Sequence, residues 1–421
     1  MGRTFVWSFC LILLCVSSCQ RRGSRDVPAI SGHYASSRLQ APDTVFSLSV
    51  STDSVVRIKV PSPQPAYDFS RHVSSFRLVP LETGSESLLG NITKLCSDSS
   101  SLFVFDRQNS LVLRFSMDGS FLGRIGRKGR GSGEYLEVVD MSLDLLRHEV
   151  CLLDLAGGKQ LYYAYDGRYL RSQPLFYYYG NLEFLGGRQV HSASFGHNGR
   201  IPSIDCHRLV VSSSSQRPLF KGFPYPSSLR ERFHWDNESP LRTCGGRVFY
   251  NHLLSDTIWE VCDSLCSARY VLDFPSRGPL FPTSSLSSLS DDSYASLVGR
   301  HTHFMGIYLL SEDVLCCYLS APDNIVTPLF CDLHSGRVLY GPAFWGSPDG
   351  LFSRLQAYSF NFILPDGSFV KVLQPFDVLG LLKSSEASGF PLSLSPSERA
   401  FVSRLKEEDN PVLLVAELKS F

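Results

Sequence analysis

The sequence predicts an all-β protein, a six-bladed β-propeller of four-stranded antiparallel blades with a short helix near the C-terminus. Three observations predict it. A strand-and-turn unit recurs at a fixed period, Asp-Gly turns fall at matching places within it, and the composition suits pleated surfaces, with 29 Phe and 18 Tyr against 4 Met.

The repeat is clearest between residues 102 and 170. Leu102–Asp106 is an apolar run ending in Asp; Leu111–Phe115 follows, then Asp118-Gly119 and Ser120–Leu122. The same order returns as Val150–Asp154, Leu161–Tyr165, Asp166-Gly167 and Arg168–Leu170. Asp106 to Asp154 and Asp118 to Asp166 are both 48 residues apart. Asp-Gly supplies the positive φ that a tight hairpin demands, so each unit reads strand, loop, strand, turn, strand. A small sheet cannot bury its own faces, and such units must stack.

Decayed copies follow. Arg247–Tyr250, Asp256–Val261 and Tyr270–Phe274 form one; Val314–Leu319, Leu329–Leu333 and Val338–Tyr340 form another. Phe360–Leu364 precedes a second Asp-Gly-Ser-Phe at 366–369, and weaker strands occupy 183–222. From residue 70 to 420 there is room for six units of about 58 residues each, with five or seven also open. Ser290-Asp291-Asp292-Ser293 opens a short helix. Ser395-Pro396-Ser397-Glu398, a capping box with Pro at the first turn, opens another that is expected to reach Glu407. Val412–Ala416 is a terminal strand, and Phe76–Leu81 is its expected partner in closing the ring.

The connection Ile125-Gly126-Arg127-Lys128-Gly129-Arg130-Gly131-Ser132-Gly133-Glu134-Tyr135 resembles the IGxxGxGPGEY connection of NHL-type propellers, with Ser132 where proline is usual. With Phe76–Thr83, the closing run Glu407–Lys419 and the lipobox-like N-terminus, the chain resembles the six-bladed propeller lipoproteins of Bacteroidota. The resemblance implies a fold and an envelope address. It brings no catalytic residues.

Arg3 precedes an uncharged run from Phe5 to Val16, signal-peptide length and too short to span a bilayer. Val16-Ser17-Ser18-Cys19 resembles a lipobox, so residues 1–18 read as a lipoprotein signal peptide and Cys19 as the lipidated residue, whose acyl chains hold the protein to a bilayer. Residues 19–45 read as a flexible tether and 46–421 as the propeller. The expected location is the outer membrane of the cell envelope. Arg21 and Arg22, where surface-exported relatives carry acidic residues, favour the periplasmic face.

Forty Lys+Arg balance 40 Asp+Glu, which argues against nucleic-acid binding. Nine cysteines remain beyond Cys19 and the signal peptide: Cys96, Cys151, Cys206, Cys244, Cys262, Cys266, Cys316, Cys317 and Cys331. An odd number cannot pair completely, and several lie in apolar runs as small hydrophobes. Cys262-x₃-Cys266 is spaced for a local disulfide or, more weakly, half a zinc site. His301-x-His303 has the spacing for one strand face but no acidic partner, and reads as structural. Asp106 and Asp154 either face the channel as ligands or bond backbone amides at their turns, the commoner role. Gly129–Gly133, flanked by Arg127, Lys128 and Arg130, reads as an inter-blade turn and not a phosphate cradle, since no Gly-Lys-Ser/Thr ending follows. No cofactor or metal is expected and no catalytic set is legible, so a binding or scaffold module for a glycan, peptide or envelope protein is favoured over an enzyme. The alternative is a hydrolase or lyase at the central channel. Three or more His, Asp, Glu or Arg side chains meeting on the axis would favour the enzyme.

Overall fold

The computed structural model describes residues 44–230, 239–253, 255–275, 280, 288–344, 360–380 and 396–421. The expected signal peptide, Cys19 and the tether up to residue 43 lie outside the described residues.

Six four-stranded antiparallel sheets follow one another along the chain. Blade I is Lys94–Ser97, Ser101–Asp106, Leu111–Ser116 and Phe121–Arg124; blade II is Val138–Asp144, Glu149–Asp154, Lys159–Ala164 and Tyr169–Pro174. Blade III is Asn181–Leu185, Arg188–Ser192, His207–Ser213 and Pro218–Pro224, and blade IV is Leu241–Cys244, Arg247–Tyr250, Thr257–Val261 and Leu265–Asp273. Blade V is His303–Leu310, Val314–Ser320, Val326–Asp332 and Val338–Tyr340. Blade VI joins Phe362–Ile363, Phe369–Leu373 and Val412–Leu418 to Val73–Pro80, so strands from far apart in the chain close the circle. The expected propeller and its closure are both present.

Alternation along each strand explains why the sheets stack. Adjacent Cys316 and Cys317 point to opposite faces: Cys316 packs among Phe330, Phe369 and Leu414 of blades V and VI, Cys317 among Phe249 and Ile258 of blade IV. Each wedge between neighbouring blades has its own apolar core. The last wedge, with Val79, Val370 and Leu413 against Leu95, Leu102 and Leu113, seals blade VI to blade I. The Asp-Gly turns behave as read. Gly119 (φ +92) and Gly167 (φ +87) sit in the left-handed region, and a Cβ on Gly119 would strike the Pro80 carbonyl.

The sequence did not disclose a strap. Phe46–Ser47 pairs in parallel with the outer strand of blade III, and Ser49–Ser51 and Val56–Lys59 with that of blade IV. Tyr67–Asp68 then pairs in parallel with Ala343–Phe344 beyond blade V, before the chain enters blade VI. The strap covers edges that would otherwise present unpaired backbone groups.

Helix Asp291–Val298 forms with Ser290 as N-cap, reciprocally bonded to Ser293. The C-terminal helix is shorter than expected: it runs Pro396–Val402 and stops before Glu407. The Asp409 carboxylate takes the Lys406 N–H (2.8 Å), offering the backbone a turn in place of another helical bond. Ser395, its expected cap, lies outside the described residues. Glu398 accepts the Leu78 N–H (2.9 Å) and so caps part of the outer edge of blade VI.

Candidate site in the axial channel

The first strand of each blade lines the axis, and alternate residues there face either a neighbouring blade or the channel. Lys94 and Cys96 of blade I, Asp140 and Ser142 of blade II, and Glu183 of blade III converge. The Lys94 Nζ donates to Asp140 Oδ1 (2.9 Å) and to Glu183 Oε1 (2.8 Å). The other Asp140 oxygen accepts the Leu182 N–H (2.9 Å), and Glu183 Oε2 accepts the Ser142 hydroxyl (2.6 Å). Three blades are thereby tied by one circuit of charge-assisted bonds. Its side chains are 14%, 4% and 8% exposed for Lys94, Asp140 and Glu183. Burial works against the Lys94 ammonium, but Asp140 and Glu183 outweigh it and hold its pKa above the ordinary lysine value.

Cys96 stands beside this circuit. Burial first, opposed by Lys94 and reinforced by Glu183 and Asp140, pushes its thiol up to about 12, so it is no thiolate nucleophile.

Arg242 of blade IV completes the charge balance: it feels Glu183, Cys96 and Asp140, and two cations face two carboxylates. Burial lowers its pKa, yet a guanidinium keeps its proton in proteins. No hydrogen bond or ion pair within the described residues engages it, and its buried Nε lacks an acceptor. Tyr308 of blade V, 0% exposed and interacting electrostatically with Arg242, also has a hydroxyl without a partner among the described residues. A buried donor left unpaired costs about 1–3 kcal/mol.

Between blades II and III lies a second closed circuit. Gln160 Nε2 donates to Tyr179 Oη (2.7 Å), Tyr162 Oη to Gln160 Oε1 (2.6 Å), and Gln189 Nε2 to Tyr162 Oη (2.8 Å). His191 Nε2 lies 2.8 Å from Gln189 Oε1 and its Nδ1 2.5 Å from Tyr177 Oη. An amide oxygen can only accept, so Nε2 carries the proton and Nδ1 accepts from Tyr177. Tyr179 stacks on the imidazole at 3.8 Å, and burial pushes its pKa down to about 3.

The residues singled out from the sequence lie elsewhere. Asp106 accepts from the Gly90 N–H (2.7 Å) and the Asn109 N–H (3.1 Å), and Asp154 from those of Leu136 (3.0 Å), Glu137 (3.0 Å) and Gly157 (2.8 Å). They brace the turns and the approach to each inner strand, and the channel-ligand reading does not hold. Gly129–Gly133 is a turn: Gly129 N–H bonds the Tyr135 carbonyl (2.8 Å), and Glu134 holds the Gly131 N–H (2.7 Å). His303 begins the inner strand of blade V while His301 precedes it, so the two do not share a strand face. Cys262 sits in a hairpin turn, Cys266 is buried, and all nine cysteines are free thiols. No group of three His, Cys, Asp or Glu among the described residues could hold a metal, and no helix there is long and apolar enough to cross a membrane.

The channel residues were missed, although a signal existed. Lys94 and Asp140 are 46 residues apart, Lys94 and Glu183 89, close to one and two blade repeats. Charges at repeat spacing upstream of Asp-ended strands mark inner-strand positions.

A family model for a domain of unknown function, DUF4934, matches residues 54–417, nearly the whole propeller. The chain belongs to the DUF4934 family. None of the functionally curated proteins matches it. Among solved structures this DUF4934 propeller resembles a candidate exported protein of Bacteroides fragilis, at 18% identity and a TM-score of 0.67 over 86% of this chain and 100% of that one. It also resembles a DUF4221 family member from Bacteroides vulgatus, at 9% identity and a TM-score of 0.49, covering 83% and 98%. At these identities the likeness is one of fold.

Proposed function

We propose that this DUF4934 chain is a non-enzymatic binding module of the cell envelope, one of the NHL-like propeller lipoproteins, anchored through acylated Cys19 to the periplasmic face of the outer membrane. It presents its channel to a glycan, a peptide or an envelope protein. The observation that carries the reading is how the axial groups are spent. Asp140 and Glu183 are engaged at every oxygen, the Ser142 hydroxyl is spent on Glu183, and Cys96 is a neutral thiol, so no base or nucleophile stands ready. What remains open is donors: Arg242, the Tyr308 hydroxyl and one Lys94 N–H.

A second reading, a hydrolase or lyase at the channel, draws on the meeting of Asp140, Glu183 and Arg242, the number of convergent groups that favours an enzyme. Their number meets that condition; the engagement of both carboxylates by Lys94, Ser142 and the Leu182 N–H weighs against it.

Capture from envelope extracts with the soluble chain starting near Val45 tests the proposal. Recovery of a defined glycan or protein supports binding, and turnover of a glycan library overturns it. Radiolabelled palmitate incorporated by the wild type and lost in Cys19→Ser supports the anchor; equal labelling of both defeats it.

A further inference from the structure

We propose that the side of the axial channel formed by blades IV and V is a carboxylate-binding site, with Arg242 as its anionic anchor and the Tyr308 hydroxyl as a second donor. This rests on the reading of the chain as a binding module and names the chemistry it selects.

Two independent observations converge. One is a guanidinium on the inner strand of blade IV with no salt bridge among the described residues, although that strand packs against the inner strand of blade III, which carries Glu183, and that of blade V, which carries Tyr308. The other is a fully buried tyrosine on the inner strand of the next blade whose hydroxyl has no acceptor. Lys94 adds a third donor, because its ammonium carries three N–H groups and spends two on Asp140 and Glu183. The open functions on the axis are therefore donors, and the neighbouring carboxylate oxygens are already engaged. A ligand that matches them offers acceptors alone. A carboxylate does so, and its two oxygens fit the fork of an arginine. A hydroxyl would bring a donor of its own, which would have to share a carboxylate oxygen already bonded. The formal charges of Lys94, Arg242, Asp140 and Glu183 cancel, so a bound anion leaves the site negative; binding is of moderate strength and weakened by salt. The carboxylate can come from an acidic sugar or from the C-terminus of a peptide.

Calorimetry on the full chain in detergent separates these sources with four probes: glucuronate, glucose, N-acetyl-Ala-Ala and its C-terminal amide. The expected result is that one acid binds and its neutral counterpart binds at least about tenfold more weakly. Arg242→Gln removes that preference. Tyr308→Phe weakens binding about three- to tenfold while the unliganded protein melts at the same temperature or higher, since the variant deletes an unpaired buried hydroxyl. A merely structural tyrosine would give the opposite pattern, a lower melting temperature with unchanged affinity. Should Arg242→Gln fail to fold, Tyr308→Phe and a titration in 0.5 M NaCl carry the test. The site is overturned if neither acid binds, if the neutral probes bind as well, or if binding survives both substitutions. Capture of the same envelope partner by wild type and Arg242→Gln would sink the carboxylate site and leave the binding module standing. Turnover of a probe would sink both.

Discussion

The wall of the channel built by blades I to III and the wall built by blades IV and V draw on similar residues but finish their hydrogen bonding differently. On the first side, every oxygen of Asp140 and Glu183 is engaged, Lys94 and Ser142 bonding both residues' side chains into one circuit with one Lys94 N–H left over, and behind them Gln160, Tyr162, Gln189, His191 and Tyr177 form a second closed loop. On the second side, Arg242 and Tyr308 keep donors that nothing in the described chain accepts. A completed polar network fixes one arrangement of its blades, because every alternative strands a charge or a donor. An incomplete one costs stability and keeps the capacity to bind. The contrast gives one wall a structural role and makes the other the place of the proposed recognition.

Removing the centre of the closed wall is the hardest blow. Lys94→Met leaves Asp140 and Glu183 buried without the cation that bonds them, Arg242 remaining only as an unbonded neighbour, and is expected to destabilise the fold by about 3–5 kcal/mol in urea unfolding; a loss below about 1 kcal/mol would erase the distinction. Ser142→Ala takes one charged hydrogen bond from Glu183 and should cost about 1.5–3 kcal/mol in the same measurement.

Acid probes the second loop. The His191 pKa is pushed down to about 3 by burial, against 6.5 in the unfolded chain, so the unfolded state takes the proton first. The contribution of the neutral ring is complete above pH 6.5 and is lost as pH falls towards 3, about 2 kcal/mol by pH 5. His252, also pushed to about 3 by burial and then Arg208, adds a similar slope. His191→Gln should remove its own share; an unchanged pH profile would contradict the assignment. The smallest effect has the opposite sign. Tyr308→Phe in the open wall should leave stability unchanged or raise it by up to about 1 kcal/mol, and a loss of 2 kcal/mol would mean that the hydroxyl is already satisfied.

How much of this could be read from the chain follows from where each strand sits. The second, third and outer strands of blades I and II carry apolar runs and Asp-Gly turns, and their spacing alone predicted stacked blades. The inner strands escaped. Lys94–Ser97 has only four residues, and Val138–Asp144 sets Asp140 and Ser142 among buried apolar neighbours, so neither shows a clean period of two. Those interruptions are the site itself, since a residue that serves the axis cannot also keep the pattern of the core. Arg242 and Tyr308 come from different blades and meet only when the ring closes. The strap was invisible for a related reason: its partners, Phe220, Tyr270 and Ala343 among them, lie far downstream and select it by backbone bonds that leave no mark on side-chain periodicity.

The way blade VI is assembled governs the order in which the molecule can be completed. Val73–Pro80 leaves the ribosome more than three hundred residues before its partner Val412–Leu418, and such distant pairing slows folding because loop entropy must be overcome first. Blades I to III can gather as they emerge, while an early hydrophobic strand waits with its ladder unmade. Rejoining the chain so that residues 73–80 directly follow 412–418 would turn the last and slowest contact into a local hairpin. That permutant should reach the native ring sooner from denaturant.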